Sequence, residues 1–166
     1  MVFDYVVSKP ASLRDYPLHR MVAGLVGDSH VLFADLGSTI LVRTPAHIEA
    51  TREDVKKVSE GQMAAFELRA CVSKKRKGSH VYPLAGDWRS RHAWLNQKAL
   101  ENGFEVLTVH SSSTMAEITD DKRSFKVDQT DFTGILKVTD MPLFDNAMSK
   151  GIGSTAKTFG FGLLII

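Results

Sequence analysis

Two periods of hydrophobic and polar residues alternate along this chain, and the switches between them outline its elements. Val2 to Val7 is a β-rich run, followed by the turn-like Ser8-Lys9-Pro10. Over Pro17–Val26, Leu18, Met21, Val22, Leu25 and Val26 recur at i, i+3, i+4, i+7 and i+8, which predicts a short helix with one apolar stripe. Pro17 suits its first turn, where a missing N–H costs nothing, and Gly27 can end it. His30–Ala34 and Thr39–Arg43 read as strands joined by a hairpin connection at residues 35–38. Thr51–Ser59 is polar and fits neither period, whereas Ala65–Val72 is strand-like again.

Asp87–Asn102 then predicts a second helix, started by Asp87 and stopped by Gly103. Phe104–His110 and Met115–Thr119 read as strands on either side of Ser111-Ser112-Ser113, and Phe125–Val138 as one long strand or a pair. Pro142–Lys150 predicts a short helix with Gly151 just beyond it, and Phe159–Ile166 a glycine-punctuated closing strand. The order is β-α-β-β-β, with a helix undecided before the last strand, then a basic stretch and α-β-β-α-β. The expected class is α+β, with sheets covered by helices on one face as in ferredoxin-like folds.

A length of 166 residues suits one domain or two packed half-domains, and 43% apolar residues suffice for a core. No run of eighteen apolar residues occurs, and the start lacks the features of a secretory signal. The single cysteine, Cys71, cannot form an internal disulfide and falls in a strand-like run, which favours a core role. The expectation is a soluble, cytoplasmic protein with no membrane partner. Net charge is only +2, from 21 Lys and Arg against 19 Asp and Glu, but the charges cluster. Lys74-Lys75-Arg76-Lys77 forms one basic run and Lys122, Arg123 and Lys126 a second. These are candidates for a phosphate-facing surface, although a solvated basic loop has the same composition.

Several familiar chemistries fail on spacing. Gly151-Ile152-Gly153-Ser154-Thr155-Ala156-Lys157-Thr158 nearly matches a phosphate-cradling loop, but Ala156 replaces its second glycine. Gly151, Gly153 and Ala156 also approximate a dinucleotide fingerprint. Both motifs need a strand before and a helix after, whereas here a helix precedes and eight residues follow, so no nucleotide cofactor is expected. Histidines 19, 30, 47, 80, 92 and 110 show no metal-ligand spacing, and Asp120-Asp121 is an acidic pair of the kind usually solvated. No metal site is expected.

Tyr16 and His19 stand three residues apart at a helix start, where their side chains can share a face. His19 falls at the edge of the apolar stripe, and a helix N-terminus disfavours the imidazolium, leaving a neutral ring able to accept a proton. A satisfied structural histidine fits this position as well. In the tail, Gly151, Gly153, Gly160 and Gly162 flank Lys157. Bare backbone there can bring N–H groups and an ammonium to anionic oxygens. A tight turn before a close-packed terminal strand is the alternative.

The tail Gly151-Ile152-Gly153-Ser154-Thr155-Ala156-Lys157-Thr158-Phe159-Gly160-Phe161-Gly162-Leu163-Leu164 resembles the glycine-rich signature of CRISPR repeat endoribonucleases of the RAMP superfamily. The Tyr-x-x-His of Tyr16-Pro17-Leu18-His19-Arg20 resembles the catalytic motif of their CasE branch, the precursor-crRNA nuclease of type I-E Cascade. Phe66-Glu67-Leu68-Arg69-Ala70, Phe132-Thr133-Gly134-Ile135-Leu136 and Trp94-Leu95 are similar to that branch's strands and helix, in the same order.

The resemblance implies two tandem ferredoxin-like domains, 1–73 and 84–166, joined by a basic linker at 74–83. It makes His19, Tyr16 and Lys157 catalytic, and implies metal-independent cleavage of a repeat hairpin by the 2′-OH, leaving a 2′,3′-cyclic phosphate and a 5′-OH. Expected RNA contacts are Lys74, Lys75, Arg76, Lys77, Arg89, Lys122, Arg123, Lys126 and the glycines 151, 153, 160 and 162. The product would stay bound and join Cascade backbone subunits. The chain departs from the branch in being short over Thr44–Gly61, and in carrying Cys71-Val72 where an Asn-Pro is usual. The competing readings are a silent RNA-hairpin-binding subunit, a divergent type IV-like nuclease and an unrelated ferredoxin-like ligand binder.

Overall fold

The computed structural model describes residues 1–119 and 122–166, so the Asp120-Asp121 pair lies outside the described residues. Two four-stranded antiparallel sheets carry the fold, and the polar stretch around residues 54–62 separates them. The first is built from β1 (Phe3–Ser8), α1 (Asp15–Val26), β2 (Leu32–Asp35), β3 (Thr39–Thr44) and β4 (Thr51–Glu53), with strand order β2-β3-β1-β4. α1 buries Leu18 and Val22 against Tyr5, Phe33, Ile40 and Val42, as its stripe requires. Leu25, at the rim of that stripe, stays exposed.

The second half contains β5 (Met63–Ala70), the hairpin β6 (Lys74–Arg76) and β7 (Ser79–Val81), α2 (Trp88–Glu101), β8 (Phe104–Thr119) and β9 (Ser124–Val138). It closes with α3 (Met141–Lys150), a 3-10 turn at Lys157–Phe159 and β10 (Leu164–Ile165), in sheet order β10-β5-β9-β8. In each half the strands lie fourth-first-third-second, the ferredoxin-like order. The first half has no helix between β3 and β4, where residues 45–50 make the whole connection. That matches the shortness of the sequence over this stretch.

Four sequence expectations are revised. Ala65–Val72 was expected to complete the first domain, yet β5 pairs with β9 and β10 in the second sheet. Its alternation buries Ala64, Phe66, Leu68 and Ala70 in the same core as Trp94, Leu95, Phe104 and Phe144, so the sheets divide before Met63 rather than at residue 73. The basic linker is itself a hairpin, turned through Lys77 (φ 49) and Gly78 (φ 81), a pair of positive φ values that matches strand twist. Phe104–Thr119 is one strand with a register shift between Val106 and Thr108, so the serine run lies within it. The closing segment is strand only at Leu164–Ile165.

The halves are fastened by Arg43, whose side chain is 1% exposed. Its guanidinium grips Asp4 through two bonds, 2.7 and 2.8 Å, and donates to the carbonyls of Met148 at the end of α3 and Leu164 in β10. Leu163 adds a packed contact with Leu32, Ala34 and Leu41 of the first sheet. The glycine-rich tail is thereby held at the junction of the two sheets. Among the described residues, no helix is long and apolar enough to cross a membrane.

Candidate functional site

The first turn of α1 is fixed by a contact from the other half of the molecule. Asp15 adopts a positive φ of 56 and its carboxylate accepts from the Thr119 N–H at 3.0 Å and hydroxyl at 3.1 Å. This ties the helix start to the end of β8. Tyr16, the next residue, sets its ring edge-on to Phe159 at 5.1 Å. Phe159 meets Phe125 at 6.1 Å, and the Arg123 guanidinium covers Phe125 at 5.3 Å. The start of α1, the Lys157–Phe159 turn and the tip of the β8–β9 hairpin therefore meet at one place. Lys122 and Lys126 are exposed at the same end of the hairpin, and of the second basic cluster it is Arg123 that connects to Tyr16, through Phe125 and Phe159.

One turn along α1, His19 is half-buried, and its Nδ1 is buried without a hydrogen-bond partner among the described residues. Burial accordingly pushes the His19 pKa down, and the positive charge of nearby His30 adds to the effect. Lys157, also half-buried, donates to the carbonyl of Lys150 at 2.8 Å, and burial lowers its pKa. His30, Asp28, Lys150, Lys157 and Thr158 line one cleft of about 380 Å³. His30 was not singled out from the sequence. Its local signal is Asp28-Ser29-His30 after the helix-ending Gly27, where Asp28 Oδ1 accepts from the His30 N–H at 2.8 Å.

These surroundings set an expected titration. In the free protein, His19 should titrate below the ordinary histidine value of about 6.5. Replacing His30 with Ala removes a positive neighbour and should move the midpoint upward. An NMR titration of the His19 ring protons checks both, and an unmoved midpoint would separate the two histidines electrostatically.

Three of the four tail glycines have no N–H group left to offer a phosphate. Gly151 donates to Ala147, Gly160 to Lys157 and Gly162 to Arg69, so these three N–H groups are already engaged, and all three residues are buried. Gly151 (φ 78) and Gly162 (φ 94) pinch the loop shut through an Ile152 N–H to Gly162 C=O bond of 2.8 Å. A Cβ on Gly151 would lie 2.8 Å from the Gly162 oxygen, and one on Gly162 would lie 2.8 Å from the Ile152 oxygen. Their role is close packing, the alternative that the sequence left open. Gly153 is half-buried and, with Ser154 and Thr155, forms the more open part of the loop.

The remaining candidates sit farther out. Lys74, Lys75, Arg76 and Lys77 are all exposed on the β6–β7 hairpin, separate from α1. Arg89 lies over the Trp88 ring at 5.1 Å in the first turn of α2, and Trp88 is itself 54% exposed. Cys71 is buried, and burial pushes its thiol up to about 12, which fits the core role and no nucleophile. Among the described residues, no three His, Cys, Asp or Glu side chains converge.

Known structures share this architecture over nearly the whole chain. A CRISPR endoribonuclease Cse3 bound to a 19-nucleotide RNA aligns with TM-score 0.82 at 23% identity, covering 98% of this chain and 96% of that one. The CRISPR-associated protein Cas6e from Escherichia coli str. K-12 aligns with TM-score 0.79 at 27% identity, covering 99% and 97%. A chain of E. coli Cascade bound to a double-stranded DNA target aligns with TM-score 0.64 at 27% identity, covering 96% of each chain. No curated protein sequence gives a significant match. Residues 15–166 match the family described as CRISPR associated protein, and the chain belongs to that family.

Proposed function

We propose that this protein is the endoribonuclease that cuts CRISPR repeat hairpins in precursor crRNA, without a metal, and keeps the product for a Cascade-type complex. The likeness to Cse3 and Cas6e supports the substrate, and the likeness to a Cascade chain supports the assembly. The observation that supports the reaction is that α1, the helix bearing Tyr16 and His19, packs against the Lys157–Phe159 turn from the other half of the chain, with Tyr16 edge-on to Phe159.

The reaction is an intramolecular displacement. The ribose 2′-oxygen bonds to the adjacent phosphorus as the P–O5′ bond breaks. His19, kept neutral by burial, takes the 2′-OH proton, and a proton returns to the departing 5′-oxygen. Tyr16, braced edge-on by Phe159, positions the reacting nucleotide. Lys157 uses one N–H on Lys150 and has two left for the developing phosphorane charge. The products are a 2′,3′-cyclic phosphate and a 5′-OH. The β6–β7 hairpin, with its four exposed cations, holds the stem through its backbone, since the deep, narrow groove of A-form RNA favours reading by shape.

Two variants separate holding from cutting. Changing Lys74, Lys75 and Lys77 to Ala should weaken hairpin binding and flatten the salt dependence of log affinity by about one unit per lost phosphate contact. Cleavage at saturating protein should stay near normal. Lys157→Ala should do the reverse, with little loss of affinity and a single-turnover rate at least about tenfold lower, because its charge acts on the transition state. Affinity loss alone in both variants would reduce Lys157 to a binding residue.

A further inference from the structure

The glycine-rich loop lines two separate clefts. Lys157 and Thr158 line the cleft shared with His30, whereas Gly153, Ser154 and Thr155 line a second cleft of about 270 Å³ that shares no lining residue with the first. Its remaining walls come from Lys74 and Lys75 at the base of the basic hairpin and from Gln97 and Lys98 on α2. Trp94 forms the floor beneath Gly153, where a Cβ would lie 3.4 Å from the indole ring. A hydrogen bond of 3.0 Å between the Ser73 and Thr155 hydroxyls fixes the loop to the hairpin strand. Three lysines, two loop hydroxyls and a carboxamide thus line one small hollow with no acidic side chain among them. Lys98 does bridge to Glu101 at 3.0 Å, but that carboxylate is half-exposed, and an exposed bridge contributes little and leaves two ammonium donors.

We propose that this second cleft binds one backbone phosphate of the RNA, so that the strand is held at both clefts of the glycine-rich loop. The inference rests on the RNA-cleaving function and adds Lys98, Ser154 and Thr155 to the binding surface. A phosphodiester fits the donor set, since every polar side chain in the lining can donate and Lys supplies a point charge suited to phosphate. Gripping the strand in a cleft separate from that of Lys157 would keep the cut product in place after the P–O5′ bond has broken, which suits a nuclease that retains its crRNA.

The test uses the whole protein and a repeat hairpin made uncleavable by a single 2′-deoxy nucleotide at the cut. Neutral methylphosphonate linkages are introduced one at a time, and affinities are measured for the wild type and Lys98→Ala. The variant should bind the unmodified hairpin roughly 5- to 20-fold more weakly, with a salt slope smaller by about one unit. At one linkage the affinity loss seen with wild type should vanish in Lys98→Ala, and Lys98→Arg should restore it. Losses that persist at every linkage in the variant, or wild-type affinity in Lys98→Ala, would overturn the site. Inorganic phosphate, titrated against the Ser154 and Thr155 amide signals, identifies a free-anion site if it saturates while no linkage couples to Lys98, and that too overturns the assignment. Wild-type protein that binds no repeat RNA would instead overturn the function on which the site rests.

Discussion

His19→Ala should lower the single-turnover cleavage rate by roughly 10²–10⁴-fold, the range typical of a lost general acid–base group. Affinity for the hairpin should hardly change, because His19 is half-buried on α1 and its charged form is disfavoured, so it offers RNA no fixed cation. The fold should survive, since the ring's buried Nδ1 makes no hydrogen bond that the substitution would break. Circular dichroism and a binding isotherm of the variant would separate loss of chemistry from loss of structure. The pH dependence carries the same signature. A base whose pKa is lowered stays unprotonated to lower pH, so the acidic limb of the wild-type rate profile should fall below the ordinary histidine range. In His30→Ala that limb should move to higher pH. A His19→Ala protein that cuts near the wild-type rate would remove the histidine from proton transfer.

How much of this was legible beforehand varies with the physics of each element. α1 was readable from its apolar stripe, and both α1 and α3 from a proline in the first turn and a glycine beyond the end, all of them local signals. α2 was readable from its ends, where the Asp87 carboxylate accepts from Ser90 and Gly103 follows. β5 was legible as a strand but not as a member of the second sheet. Alternation reports which face is buried and says nothing about which partner buries it. β8 resisted for a different reason. Most of residues 107–117 is exposed, so no hydrophobic period runs through the serines, and only pairing with β9 shows one continuous strand.

The site divides in the same way. Tyr16 and His19 stand out as candidates in the sequence because they share one helix face, and Lys157 because glycines surround it. His30 was missed, since its link to His19 and Lys157 arises from the packing of the loop before β2 against the tail. The glycines were seen as important for an incomplete reason. Positive φ was foreseeable, but the spending of three N–H groups on Ala147, Lys157 and Arg69 depends on where α3 and β5 lie. The basic run at 74–77 was read as a surface for phosphate without its hairpin, although Lys77-Gly78 is a workable two-residue turn.

The nucleophile is the centre of the account, and one substitution in the RNA isolates it. Repeat RNA carrying a single 2′-deoxy nucleotide just upstream of the scissile phosphate would be compared with its all-ribose counterpart, both in EDTA, with cleavage followed by gel and product ends by mass spectrometry. The deoxy RNA lacks the only oxygen that can attack within the strand, so no amount of positioning by Tyr16 or charge from Lys157 can replace it. The all-ribose RNA should be cut in EDTA to a 2′,3′-cyclic phosphate and a 5′-OH, while the deoxy RNA binds with the same affinity and stays intact. Cleavage of the deoxy RNA, or an all-ribose RNA that is cut only when a divalent metal is restored, would contradict the account.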